Sequence, residues 1–406
     1  MGIWDIFKKS KTSATLDNKK SNTEHEIEER KFVEKTTSEE CFQDNVIAES
    51  SDNKLYLNTD TSNIAIENNT VTSIPKNQTK ETDLTEERKN QVGPIVFKEN
   101  IVEDDLMNLT IQENIFLLCT LQHFHNKSPL NNYENNVKVL YQSIIDKLKN
   151  ATVLYMVYDQ ATGLPFLNEG YVDIYSTEQY AKDAVDYYMQ QYRKLEVRAL
   201  HKEDSNLPSK ISIFAYLYYL GMEQLMIDNG KYKVSVKRDE VLPLPDYSNV
   251  PNISVPIVNP VLRNAMIDFF GEARWLVNYP NRQENLKKRE DRMIEEICKA
   301  KYLVPMKYEG DSMKSGENQV TFKEGATLMF AKITNTEHIT YLPIFTDWTE
   351  FDKVYDKNIW NGMIVTIMDA ITIGAGDGIA INPYGENLIL NEKSIKEIET
   401  EYKKLN

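Results

Sequence analysis

Three cysteines in 406 residues, Cys41, Cys119 and Cys298, with no CxxC pair, leave no material for a disulfide framework or a zinc ribbon. A reducing compartment suits such a chain. No apolar run approaches the roughly 18–20 residues of a spanning helix. The start of the chain lacks a basic leader, a long apolar core and a cleavage site, so no secretory signal is expected. Histidines number only five, and HExxH, GxSxG and the Walker A pattern are missing. No catalytic residue, cofactor or metal site is therefore read from motifs. Basic charge is short as well. With 47 Lys and Arg against 62 Asp and Glu, the formal net charge is −15, which argues against a nucleic-acid partner, whose phosphates ask for a basic surface.

What is present is 41% apolar and 27% charged, ordinary for a soluble globular protein. The length suggests two or three domains. Abundant Asn, Lys, Ile and Tyr resemble the bias of a low-GC bacterial proteome. Residues 10–92 are rich in Ser, Thr, Asn, Lys and Glu and hold only short apolar pairs such as Ile64/Ile66. Such a stretch cannot bury enough apolar surface to offset its ordering entropy, and it is read as a disordered tether. Ahead of it stands MGIWDIFKK, residues 1–9. Ile3, Trp4, Ile6 and Phe7 fall on one helical face, and Lys8 and Lys9 follow. An apolar wedge with a cationic flank suits weak contact with an anionic membrane or docking on a protein; a segment without a role is the third reading. Ile6 stands where an N-myristoylation signal wants Ser or Thr.

From about residue 93 periodic apolar patterns begin, and a repeat lies within them. NNYEN at 131–135 and NRQEN at 281–285 each precede a helix-like run, 136–150 and 286–299. Each run ends at an alanine, Ala151 or Ala300, before an apolar strand, TVLYMVYD or KYLVPMKYE. A hairpin pattern follows in both, then a helix start. Ser176 with Gln179 and Asp347 with Glu350 have capping-box spacing. Strand, short helix and a strand–turn–strand unit complete each copy. The turns are Asn229-Gly230, expected as a type I′ hairpin, and Asn382-Pro383-Tyr384-Gly385, in which Pro fixes one φ and Gly supplies the special one. Helix-like stretches at 103–126 and 259–274 precede the copies, and a Pro- and Asn-rich stretch separates them.

The expected organisation is an amphipathic tip at 1–9, a disordered linker at 10–92, a module with leading helices at 93–245, a linker and helix at 246–282 and a second module at 283–406. The fold class is α/β (α+β): two tandem mixed-sheet modules with packed helices.

YLVP (302–305), LPIFTDWTEFDK (342–353) and GIAINPYGENL (378–388) resemble the SseB-type N-terminal domain, a bacterial family, over about residues 295–400. The first copy, at about 136–245, departs from the pattern, with IDNG for INPYG and VDIYST for LPIFTD. The resemblance implies a bacterial cytoplasmic α/β module that binds or adapts, and it supplies no catalytic residue.

Gly374, Gly376 and Gly378 raise the question of a phosphate loop. A dinucleotide fingerprint needs strand, GxGxxG, then helix. Here a helix-like MDAITI precedes and a strand, IAIN, follows, so the glycines are read as a helix C-cap in the left-handed conformation. Gly221 takes that place in the first copy. His123 and His125 are alternate residues in a helical context and cannot converge on a metal. Cys298 is read as a structural thiol, Glu103-Asp104-Asp105 as a helix start and Glu295-Glu296 as a solvated face. Tyr187, Tyr188 and Tyr192 crowd one helix end and make a candidate partner face between the copies, with core packing as the plain alternative. The expectation is a non-enzymatic interaction protein with an unidentified protein partner. Its alternatives are an enzyme or small-molecule sensor with a site in the cleft between modules, and a part of an envelope or secretion assembly.

Overall fold

A computed structural model describes residues 84–202, 212–249, 255–309, 312–314, 320–322, 327–374 and 378–405, with a two-residue strand at Leu16–Asp17 that pairs along Thr334–Asn335. The wedge at Ile3, Trp4, Ile6 and Phe7, Cys41 and nearly all of the polar tether lie outside the described residues.

The folded part starts earlier than the composition suggested. Thr85 caps helix α1, Glu86–Val92, Val92 is buried, and Arg88 pairs with Glu113. The boundary expected after residue 92 therefore falls near Leu84. A 3₁₀ turn, Gly93–Phe97, follows. The single helix expected over 103–126 is two, α2 (Glu103–Leu106) and α3 (Ile111–Lys127). Thr110 breaks the run by making its own capping box. Its hydroxyl accepts from the Glu113 N–H at 3.1 Å, and the Glu113 carboxylate accepts from the Thr110 N–H at 2.8 Å.

Module one then runs α4 (Tyr133–Asn150), β1 (Val153–Asp159), β2 (Leu164–Pro165), β3 (Leu167–Asn168), β4 (Tyr171–Tyr175), α5 (Glu178–Met189), β5 (Leu195–His201), α6 (Ile213–Tyr219), β6 (Gln224–Ile227), β7 (Val234–Lys237) and α7 (Arg238–Val241). Module two runs α8 (Pro260–Ala273), α9 (Arg282–Lys299), β8 (Lys301–Glu309), β9 (Ser312–Lys314), β10 (Val320–Phe322), β11 (Thr327–Phe330), β12 (Ile333–Asn335), β13 (Thr340–Ile344), α10 (Trp348–Asp352), β14 (Asn361–Thr366), α11 (Ile367–Ile373), β15 (Gly378–Ile381), β16 (Leu388–Leu390) and α12 (Glu392–Leu405).

One strand path serves both. In module one β1 lies between β5 and the β2/β4 edge, β4 runs parallel to β6, and β7 closes the sheet antiparallel. In module two β8 lies between β14 and β11, a bridge from Leu303 to Phe345 links it to the end of β13, β13 runs parallel to β15, and β16 closes. Among the described residues the β9–β10 hairpin has no counterpart in module one. The sequence repeat is visible in the helix starts. Asn132 (φ 54°) and Asn281 (φ 64°) both take the left-handed conformation that asparagine tolerates, and each opens a helix of 18 residues that ends at Ala151 or Ala300.

Each sheet buries both faces. Leu154, Met156, Ile174 and Leu225 pack with α3, α4 and α6, while Val157 and Tyr175 pack under α5. Tyr302, Val304, Leu342 and Ile344 pack with α8, α9 and α12, and Leu303 and Phe345 lie under α10. Each such Leu, Ile or Phe contributes about 1.5–3 kcal/mol by leaving water. Helix α8, expected as a linker helix, belongs to the core of module two through Leu262, Met266, Phe269 and Phe270. Its Ile267 packs instead in the core of module one.

Three turn expectations are corrected. Asn229-Gly230 is not a two-residue hairpin, since strands β6 and β7 are joined by the six residues 228–233. Asp228 takes φ 53° and Gly230 φ 94°, and the Lys231 N–H closes the turn on the Asp228 carbonyl at 3.2 Å. In Asn382–Gly385 the positive φ belongs to Asn382 (47°), not to Gly385. Gly374 caps α11 at φ −83°, whereas Gly221 has the left-handed φ of 69° expected of both.

Candidate functional site

Two of the three motif stretches of module two, 342–353 and 378–388, meet at one buried network. Arg263, on α8, is buried and reaches three carboxylates: Glu350 at 2.7 Å, Glu386 at 2.8 Å and Asp347 at 3.4 Å. Asp347 is the N-cap of α10 and accepts the Glu350 N–H at 3.0 Å. The Glu350 carboxylate does not turn back to complete a capping box. It takes Arg263 and, at 2.7 Å, Lys353. Asn382 ties the turn in. Its Oδ1 accepts the Thr346 N–H at 3.0 Å, and its Nδ2 donates to Thr346 Oγ1 at 2.9 Å and to Glu386 at 2.7 Å. A Cβ on Gly385 would stand 2.5 Å from Glu350 Oε2, so the glycine is needed for space.

Burial works against charge at all three centres. On Arg263 the carboxylates outweigh it and hold the guanidinium protonated. Burial, opposed by Arg263 and the Asn382 amide, leaves Glu386 below the ordinary range. It pushes Glu350 up, helped by the Glu386 charge, against the pull of Arg263 and Lys353. Every polar group of this set has a partner within it. The arrangement is suited to locking α8, α10 and the β15–β16 turn together.

Module one uses the same construction with other residues. Asp228 stands where Asn382 does. It accepts the Ser176 N–H and the Ser176 hydroxyl, both at 2.7 Å, and its own N–H donates to the Ile174 carbonyl as that of Asn382 does to Ile344. Ser176 is therefore committed to Asp228, and the α5 cap falls to Thr177, whose hydroxyl accepts the Tyr180 N–H at 3.3 Å. Asp173, on β4, accepts from Tyr188 at 3.0 Å and from the Asn229 amide at 3.2 Å. Among the described residues no cation bonds either aspartate. Burial pushes both carboxyls up to about 6.

Between the modules α8 presents Pro260, Asn264, Ile267, Gly271 and Arg274 along one side. Gly221 lets the Pro260 carbonyl approach where a Cβ would overlap it. Asn264 meets Met222 Sδ at 3.6 Å, Arg193 donates to the Gly271 carbonyl at 2.8 Å, and Arg274 donates to the Ala161 carbonyl at 2.7 Å. The Arg193 guanidinium lies 3.6 Å from the Trp275 ring centroid. These contacts hold the modules as one body.

Of the candidate partner face, Tyr188 is buried and bonded to Asp173, which removes it from the surface. Tyr187 and Tyr192 are exposed. Sequence reasoning missed two further exposed apolar side chains, Met189 at the end of α5 and Leu276 next to Trp275, because exposure depends on how the modules meet. His125 accepts the Leu130 N–H on Nδ1 at 3.0 Å and stacks on Tyr133. Burial pushes Cys119 up to about 12 and Cys298 up to about 11, the latter with help from the Glu401 charge. A groove of about 360 Å³ lies between Val96–Glu99 and Pro129–Asn131, away from the seam. Among the described residues no helix is long and apolar enough to cross a membrane.

The mixed sheet, its strand path and the Asn382 turn define a class of α+β module. Residues 263–396 match the family model of the SseB protein N-terminal domain. The match begins at Arg263 and so takes in α8, well ahead of the stretch from about 295 that carried the resemblance. No curated protein and no solved structure matches the chain.

Proposed function

We propose that the chain is a non-enzymatic protein-interaction or adaptor protein of the bacterial cytoplasm, built from an SseB-like module and a divergent second copy of it that arose by tandem duplication. The observation that carries the reading is where polar and apolar groups go. The three buried carboxylates Asp347, Glu350 and Glu386 are consumed by Arg263 and Lys353, which is the chemistry of a fastener rather than of a reaction site. Tyr187, Met189, Tyr192 and Leu276 are exposed on chain segments next to the Arg193–Trp275 contact between the modules, and Tyr and Met are residue types enriched at protein interfaces. Duplication is supported by the paired hydrogen bonds of Asp228 with Ser176 and Asn382 with Thr346. Weak anionic-membrane contact through residues 3–9 belongs to the same proposal.

Native mass spectrometry of the full chain after passage through lysate of the source cell tests the reading. A stoichiometric protein carried along, and lost on Leu276→Asp, supports an adaptor. A small molecule retained in its place, turned over by the chain, would replace the adaptor with an enzyme.

A further inference from the structure

The two modules fasten the same socket with opposite chemistry. In module two the socket holds Asn382, and Arg263 neutralises Asp347, Glu350 and Glu386 beside it. In module one the socket holds Asp228, and a second carboxylate, Asp173, lies on β4. Asp228 is 0% exposed and Asp173 1%, and among the described residues neither forms an ion pair. A buried carboxylate that has hydrogen bonds and no cation carries its charge at a cost, so its proton decides how well it fits.

These two carboxyls tie three segments. Asp228 holds the entry to α5 through the Ser176 N–H and hydroxyl, both at 2.7 Å. Asp173 holds the end of α5 through the Tyr188 hydroxyl at 3.0 Å and the 228–233 turn through the Asn229 amide at 3.2 Å. The Tyr188 carbonyl in turn accepts the Arg193 N–H at 3.1 Å. Arg193 is the residue that bonds the Gly271 carbonyl of α8 and lies over Trp275, so the end of α5 carries a contact of the seam.

The groups that face the pair come from three elements. On β4 the Tyr175 hydroxyl stands 3.5 Å from Asp173, and burial, then the charges of Asp173, Tyr188 and Asp228, hold its proton on. On α5 burial and then Asp173 do the same for Tyr188, with Tyr187 and Glu169 adding to it, while Asp183 is taken by Lys231 at 3.4 Å. On the turn the Lys233 charge favours ionised Asp173 without forming an ion pair with it among the described residues. Burial outweighs Asn229, Tyr188, Lys233 and Tyr175 at Asp173, and outweighs the Ser176 bonds at Asp228, so both carboxyls are pushed up.

We propose that Asp173 and Asp228 form a proton-operated clasp in module one: with protons bound they hold both ends of α5 and the 228–233 turn shut, and when the protons leave, these segments open more often and loosen Arg193 on α8. Module two, fastened by Arg263, stays out of the response. The clasp goes beyond the adaptor reading and stands or falls without it.

Amide hydrogen exchange of the full chain at pH 5, 6 and 7, corrected for the intrinsic pH dependence of exchange, tests it. A carboxyl at about 6 when closed and in the ordinary range when open makes the opening constant rise about tenfold from pH 5 to pH 7. Protection at 178–193 and 224–234 should fall by that factor, or by about a hundredfold where one opening exposes both carboxyls. At 340–344 and 378–381 it should change by less than about threefold, because Glu350, raised by burial, and Glu386, held low by Arg263 against burial, act in opposite directions. Asp173→Asn with Asp228→Asn should abolish the fall. Tyr188→Phe keeps the ring and removes a donor to ionised Asp173, so it should extend the fall to higher pH. Protection indifferent to pH, a fall of equal size in both modules, a fall that survives the two Asn substitutions, or a profile that Tyr188→Phe leaves in place would each overturn the proposal.

Discussion

Replacing Asp228 with asparagine should stabilise the protein at neutral pH and leave it unchanged in acid. The carboxyl is pushed up to about 6 in the folded chain, against an ordinary 3.8, because burial outweighs the two Ser176 hydrogen bonds that pull it down. Below about 4 both folded and unfolded chains hold the proton and stability is full. Between about 4 and 6 the folded chain keeps a proton that the unfolded chain has lost, so stability falls as pH rises. Above about 6 the loss levels off at about 3 kcal/mol, at 1.36 kcal/mol per pH unit. Asn382 shows that an amide fits the same socket, with Oδ1 on the N–H and Nδ2 on the hydroxyl. Asp228→Asn should therefore gain up to about 3 kcal/mol at pH 7.5 and match the parent at pH 4. Urea unfolding of both proteins at several pH values between 4 and 7.5 measures this. Asp173, with the same direction and a value of about 6, should leave about half of the slope in the variant. A variant no more stable than the parent at pH 7.5, or a slope unchanged between pH 4 and 6, would refute the reasoning.

Arg263→Met should cost about 3–5 kcal/mol, because Glu350, Glu386 and Asp347 stay buried without the guanidinium; adding Glu350→Gln and Glu386→Gln should recover much of it, read as the unfolding midpoint. Gly385→Ala should cost about 1–3 kcal/mol through its clash with Glu350, since φ there is unremarkable, and Glu350→Ala should relieve part of that cost in a double-mutant cycle. Arg193→Ala should raise amide exchange in α8 near Gly271 by loosening the seam, while exchange in β15 stays slow. Cys119 and Cys298 should resist iodoacetamide at pH 8 until denaturant is added, as both thiols are buried and titrate far above that pH.

Much of the architecture was legible because it follows from local chemistry. NNYEN and NRQEN announce two helix starts, Ala151 and Ala300 mark the helix ends, and the continuous apolar runs of 341–344 and 379–381 give paired buried strands. What stayed hidden depends on partners distant in sequence. Ser176 looks like a cap until Asp228 claims it. Asn-Gly reads as a tight hairpin until the Asp173 carboxylate draws the Asn229 amide inward. Tyr188 resembles its exposed neighbours until Asp173 takes its hydroxyl. Arg263 carried no pattern at all. Its role appears only when Asp347, Glu350 and Glu386, spread over forty residues of chain, are seen around it.

Helix α8 has a second consequence. One side completes the core of module two while Ile267 fills that of module one. A protease cutting between Leu244 and Pro260 would sever the backbone and still leave the halves clasped. A cut between Ala273 and Arg282 would leave α8 on the wrong fragment and strip module two of Arg263. The natural break in this chain therefore lies ahead of α8, and genetic exchange that moved module two alone would have to carry that helix with it.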